Sequence, residues 1–212
     1  MPFEGSSSYR TLLLRLDEWF IAARASRPEV PCSAGCTACC HGPFDISVAD
    51  VELVVDAVRR LPRDVRGEVL RRARAQAERL AADEPGWREP WHVADLGEAR
   101  FDALCDAHDS EPCPLLGDDG RCRIYADRPL VCRMLGLGMR TRSGRVLDNA
   151  CPIQESFPGY GALEPVSFDL EGLEAQERLA LETAASRLFG TPSAWDYETI
   201  IATALVAFAD DA

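Results

Sequence analysis

Between Pro31 and Gly42 the chain reads Pro-Cys-Ser-Ala-Gly-Cys-Thr-Ala-Cys-Cys-His-Gly, which puts four thiols and an imidazole inside ten residues. A buried free cysteine packs as a small hydrophobe, and packing gives no reason for cysteines to recur as C-x3-C-x2-C-C between glycines. Thiolates that must reach one inorganic centre do give a reason. Their backbone has to curl tightly, and Gly35 and Gly42 permit turn conformations that a β-carbon resists.

Four further cysteines, Cys113, Cys122, Cys132 and Cys151, lie in turn-rich sequence rather than in long helices. With Cys32, Cys36, Cys39 and Cys40 they make eight candidate metal ligands. The ninth, Cys105, shares a helical face with Phe101 and Leu104 and reads as core. Tetrahedral zinc takes four ligands, so eight thiols suit two closed four-cysteine sites or one polynuclear cluster with shared sulfurs. Adjacent side chains diverge along a regular backbone, so Cys39 and Cys40 either face two centres or contribute one ligand between them. An iron–sulfur cluster needs four thiolates, and the Cys113-Pro114 and Cys151-Pro152 pairs occur in some cluster-binding runs. Zinc and an iron–sulfur cluster therefore both stay open as cofactors. Thiolates around a metal carry net negative charge, which calls for donors nearby. Arg121 and Arg123 flank Cys122, and Arg128 and Arg133 flank Cys132. Tyr125 and His41 are the remaining polar groups close to the cysteines.

A disulfide framework would need an oxidising compartment and usually a small secreted scaffold. The N-terminal leucines are interrupted by Arg15, Asp17 and Glu18, which is no signal peptide, and the longest apolar run, 199–209, is about half a bilayer span. A cytoplasmic protein with reduced thiols and no membrane partner is expected. A net charge of −12 argues against nucleic acid. The arginines of residues 59–79 read as a solvated helix face paired with acidic groups. The expected partner is a metal ion, with a protein partner as a second candidate. No catalytic triad, phosphate loop or paired-carboxylate pattern is present.

Periodicity predicts helices over 8–26, from an N-cap at Ser47 to Pro62, over 63–82, around 95–107, from Pro129 to Leu135 and over 170–189, the last closed by Gly190. Ser193 to Asp196 resembles a capping box that opens a final helix to Ala209. Hairpins are expected at Asp118-Asp119-Gly120, bringing Cys113 near Cys122, and at Ser143-Gly144. The loop of residues 83–92 reads as two indoles packed onto helices, with a lid or partner-binding loop as the alternative. The fold class is mainly α with short β-hairpins, an irregular cysteine-rich core wrapped by helices. Residues 1–165 are expected to form the metal-binding domain, with motif core 32–152, and residues 166–212 a helical pair packed on it.

These blocks in order, Cys32-x3-Cys36-x2-Cys39-Cys40, Cys113-Pro-Leu-Leu, Gly120-Arg-Cys122-Arg-Ile-Tyr125, Arg128-Pro129-Leu-Val-Cys132-Arg133 and Cys151, resemble the YkgJ-type cysteine-cluster proteins. That family is described as a zinc- or iron-chelating CxxCxxCC domain. The resemblance implies metal binding by the eight cysteines, with Arg128, Arg133 and Tyr125 beside the cofactor. Members of the flagellin lysine methylase type imply an iron–sulfur cluster. The expected function is a metal-binding protein whose zinc or iron–sulfur centre is structural or serves metal handling or partner binding. The alternative is a redox or group-transfer enzyme, related to those methyltransferases, with a reactive cluster. No glycine-rich nucleotide loop follows a strand, so methyl transfer itself is not implied.

Overall fold

Apolar residues at helical spacing set most of the elements in a computed structural model that describes residues 4–32, 35–148 and 151–209. In chain order these are α1 (Glu4–Ala25), β1 (Asp45–Ser47), α2 (Val48–Arg59), α3 (Arg63–Asp83), α4 (Glu98–Ala107), α5 (Leu130–Met134), β2 (Met139–Arg140), β3 (Val146–Leu147), α6 (Pro158–Gly161), β4 (Val166–Ser167), α7 (Leu170–Phe189), β5 (Glu198–Ile200) and α8 (Ile201–Ala209). The chain is mainly helical with a few short strands, as its patterning requires. Among the described residues no helix is long and apolar enough to cross a membrane.

The chain divides into two compact units. The first comprises Met1–Cys39 and Leu130–Ala180, the second Cys40–Pro129 and Leu181–Ala212. The dividing points fall at the Cys39–Cys40 peptide bond, after Pro129, and within α7.

In the second unit α8 packs on both α2 and α3. Val51, Val54, Val55 and Val58 of α2 are buried, as are Ala73, Ala77 and Leu80 of α3 and Ala202, Ala204 and Leu205 of α8. Ser47 caps α2, its hydroxyl accepting the Asp50 N–H at 3.3 Å. The loop after α3 packs inward. Trp87 is 2 % exposed and its indole N–H donates to the His92 carbonyl at 2.8 Å, while Trp91 lies against the Leu80, Phe101 and Leu104 cluster. Cys105 joins that cluster, which accounts for it as core.

The expected last helix is shorter than its pattern suggested. Instead of a capping box, Thr191 accepts the Ser193 N–H to start one 3-10 turn over Pro192–Ala194. Residues Glu198–Ile200 then extend and pair antiparallel with β1, Ile46 opposite Thr199. β-Branched Thr199 and Ile200 suit that half-buried ladder better than a first helical turn, so α8 opens only at Ile201.

In the first unit α1 packs on α5. A three-stranded sheet of order β3-β2-β4 joins β2 and β3 antiparallel and β2 and β4 parallel. The β2–β3 turn uses Gly144 at φ +88°, as the Ser143-Gly144 signal predicts. Leu16, Met139, Leu170 and Leu173 form one core cluster, and Ala23, Val30, Leu137, Cys151 and Tyr160 another.

Candidate metal centre

α1 delivers the thiol loop. Its last turn is followed by a bond from Val30 N–H to Arg27 O at 3.2 Å, and Gly35 turns the chain at φ +91°. Ser33 and Ala34 lie outside the described residues. Within the first unit Cys32 feels three other thiols. Burial pushes its own thiol up to about 11, and Cys151, Cys36 and Cys39 each add to the shift, while Arg24 opposes it. Cys151, far along the chain, is buried, and its N–H donates to Gln154 Oε1 at 3.3 Å. Four sulfurs thus share one neighbourhood.

Tyr160 completes that neighbourhood and carries no signal in the sequence beyond a lone tyrosine between two glycines. It is 2 % exposed, donates its hydroxyl proton to the Gly136 carbonyl, and packs in one cluster with Cys32 and Cys151. Burial, then the charges on those cysteines, raise its phenol well above the ordinary tyrosine value. Gly136 sits at φ +108°, and a Cβ there would lie 3.2 Å from Cys32 Sγ and 3.3 Å from the Tyr160 hydroxyl. Any other residue would meet both strain and collision.

In the second unit the loop continues from Cys40. The Cys113 N–H donates to the Cys40 carbonyl at 2.9 Å, His41 bridges Pro112, and the Gly42 N–H donates to Glu111 O at 2.8 Å. At Gly42, φ +76°, a Cβ would come 3.2 Å from the Asp109 backbone, so this close approach requires glycine. The expected hairpin brings Cys113 and Cys122 together. Leu116 bridges Cys122, the Arg123 N–H donates to Leu115 O at 2.8 Å, and Gly120 turns at φ +70°. Burial, with the nearby Cys122, pushes Cys113 up to about 12. It also raises Cys122, against Ile124 N–H and the Arg128 charge.

The 111–113 segment is clamped to α3. His108 lies between Asp83 Oδ2 (2.8 Å) and Glu111 Oε1 (2.9 Å), and Arg79 forks onto both Glu111 oxygens at 2.8 Å. The hydrogen bonds from Arg79, ahead of the opposing effect of burial, hold Glu111 down to about 2. Arg60 likewise pairs with Asp127 (2.8 Å) and Arg72 with Asp118 (2.7 Å). These arginines serve the pairing role their helix suggested.

Of the other expected site residues, Arg128 stacks on the exposed Tyr125 ring at 4.3 Å and its charge reaches Cys122. Arg123 pairs with Asp119 at 3.2 Å. Arg133 is buried and pairs with Asp17 of α1. Cys132 stands on α5 in the first unit, half-buried.

All nine cysteines are free thiols. Among the described residues no three cysteine, histidine or carboxylate groups already surround a common ligation point. The cysteines are gathered into neighbourhoods rather than drawn into finished coordination shells. Their chemistry fits soft or borderline metals: sulfur donors, partly or fully withdrawn from water, with cationic Arg24 and Arg128 close by. A shallow cleft lined by Gly42, Phe44, Gln76, Cys113 and Ile200 borders the second group.

No curated protein and no solved structure matches the chain. A family model does, over residues 31–152, which is more than half the length and runs from the residue before Cys32 to the residue after Cys151. The chain therefore belongs to the CxxCxxCC family, whose description is "putative zinc- or iron-chelating domain".

Proposed function

We propose that this protein binds zinc or an iron–sulfur cluster through its thiols, and that the metal is chiefly structural. The observation that carries the reading is the meeting of Cys32, Cys36 and Cys39 with Cys151 beside one buried tyrosine. Such a gathering of sulfurs from remote parts of the sequence, unpaired as disulfides, matches the family description. These four are the proposed ligands of a first centre. Cys40, Cys113 and Cys122 are the proposed ligands of a second group, in the other unit, and Cys132 of the first unit is a further proposed ligand. Arg128 is the proposed donor beside the second group, supported by its influence on Cys122.

When bound, the metal supplies metal–sulfur bonds that tie the 32–39 loop to the segment at 151, and structural zinc contributes about 10–16 kcal/mol in small domains. The chain's own residues prepare this. Gly35 turns the loop, Gly136 allows the close approach, and Ala23, Val30, Leu137 and Tyr160 exclude water.

Elemental analysis for zinc, iron and acid-labile sulfide on protein purified without oxygen tests the proposal. At least one equivalent of zinc, or iron with matching sulfide, is expected, reduced in Cys32→Ser and Cys151→Ser. Chelation should increase susceptibility to proteolysis. Metal-free native protein with all its thiols open to a thiol reagent would refute the reading.

A further inference from the structure

We propose that Tyr160 is a positioning residue that donates a hydrogen bond to the metal-bound sulfurs of Cys32 and Cys151. The inference rests on the metal reading above. It concerns a residue eight positions beyond the matched family span. A phenol has one proton to give and two lone pairs to accept with. As it stands, that proton goes to the Gly136 carbonyl, while the Cys32 and Cys151 sulfurs beside the hydroxyl raise the phenol, the direction expected of a proton held toward sulfur. A metal-bound sulfur carries no proton and can only accept. With the phenol proton still on Gly136, oxygen lone pairs would then face two electron-rich sulfurs.

Rotation about the C–O bond removes the conflict. The O–H turns from the Gly136 carbonyl to a sulfur, and a bond to an anionic acceptor is stronger than the neutral one it replaces. Cys32 Sγ and the hydroxyl both border the same space at Gly136, 3.2 and 3.3 Å from its would-be Cβ, so the proposed new acceptor lies on the same side of the hydroxyl as the old one. The surroundings, Phe20, Ala23, Val30, Leu137 and Leu163, are apolar and strengthen any such bond. Donors of this kind to metal ligands typically change metal affinity 10- to 100-fold.

The test titrates metal-free protein with Co²⁺, then displaces it with Zn²⁺, comparing wild type, Tyr160→Phe and Tyr197→Phe. Tyr197 is a buried tyrosine of the other unit whose hydroxyl donates to the Pro90 carbonyl. Tyr160→Phe is expected to weaken binding 10- to 100-fold and to move the sulfur-to-cobalt charge-transfer band to lower energy, since the sulfur loses a stabilising proton. Tyr197→Phe should do neither. A merely structural role for Tyr160 would not move the band. As a second measurement that keeps the hydroxyl, 3-fluorotyrosine placed at position 160 should shift its ¹⁹F resonance on zinc addition, while the same label at 197 stays put. Unchanged affinity and band in Tyr160→Phe, or an unmoved resonance at 160 in protein that has taken up zinc, overturns the inference and leaves the metal reading intact. Failure of the wild type to bind any metal overturns the reading and the inference together.

Discussion

Replacing Asp17 with asparagine should destabilise the protein by about 3 kcal/mol. Arg133 of α5 keeps its side chain 2 % exposed, and the facing Asp17 carboxylate of α1 is 22 % exposed. A guanidinium stays charged at every accessible pH, so it cannot escape the loss of its partner by shedding a proton. Removing one member of a buried ion pair costs roughly 3–5 kcal/mol because the other charge is left uncompensated. Partial solvent screening at Asp17 places this pair at the low end of that range. In a chain of this size 1 kcal/mol is worth roughly 2–4 °C, so the loss should be about 6–12 °C in melting temperature. The double replacement Asp17→Leu with Arg133→Met removes both charges of the pair and should recover most of it. Urea and thermal unfolding of the metal-loaded single and double variants, followed by circular dichroism, give the full cycle. Asp17→Asn within about 0.5 kcal/mol of wild type, the range of an ordinary surface change, would refute the assignment of Arg133 to a buried ion pair.

Gly136→Ala should cost about 2–4 kcal/mol, combining left-handed strain with collision against Cys32 Sγ and the Tyr160 hydroxyl. It should lower metal content as well, and elemental analysis beside urea unfolding checks both. His108 predicts a pH dependence. Burial alone would lower its value, but the hydrogen bonds to Glu111 and Asp83 prevail and raise it. Its contribution to stability is therefore complete below the unfolded value of about 6.5 and is lost as pH rises through the folded value. Urea midpoints should fall between those two values in wild type relative to His108→Asn, and parallel profiles would contradict the clamp. Ser47→Ala should cost about 1 kcal/mol through loss of the α2 cap, read from the same unfolding curves.

Local chemistry was the part of this molecule legible in its sequence. Ser47, Gly120, Gly144 and the valine stripe of α2 each act through neighbours within a few residues, so spacing alone located them. The thiol loop was legible because its cysteines recur at a short spacing that packing does not explain. Elements made by remote pairing were not. Three-residue β5 exists because β1 lies alongside, and nothing in Glu198-Thr-Ile200 outweighed a plausible helix start. Tyr160 gained its place from the approach of Cys32, Gly136 and Cys151 in space, and one aromatic residue has no periodicity to read. Similarly Arg133, adjacent to a cysteine in sequence, meets Asp17 only because α5 packs on α1.

The cysteine doublet gives the thiols their arrangement. Successive side chains leave the backbone in different directions, so Cys39 and Cys40 cannot readily serve one small ion, and the folded chain uses the doublet as a parting point. Cys39 adds its charge to the neighbourhood of Cys32, Cys36 and Cys151. Cys40, one peptide bond on, lends its carbonyl to Cys113, whose own thiol lies near Cys122. The glycines on either side do unequal work. Gly35 has open space around its missing Cβ and supplies only a turn, whereas Gly42 is pressed against the Asp109 backbone and fixes the register of the second group. A doublet without Gly42 would keep its sulfurs and lose the main-chain bonds that carry Cys40 to Cys113. In this chain the C-C-x-G order is therefore as much a part of the proposed metal-binding pattern as the number of cysteines.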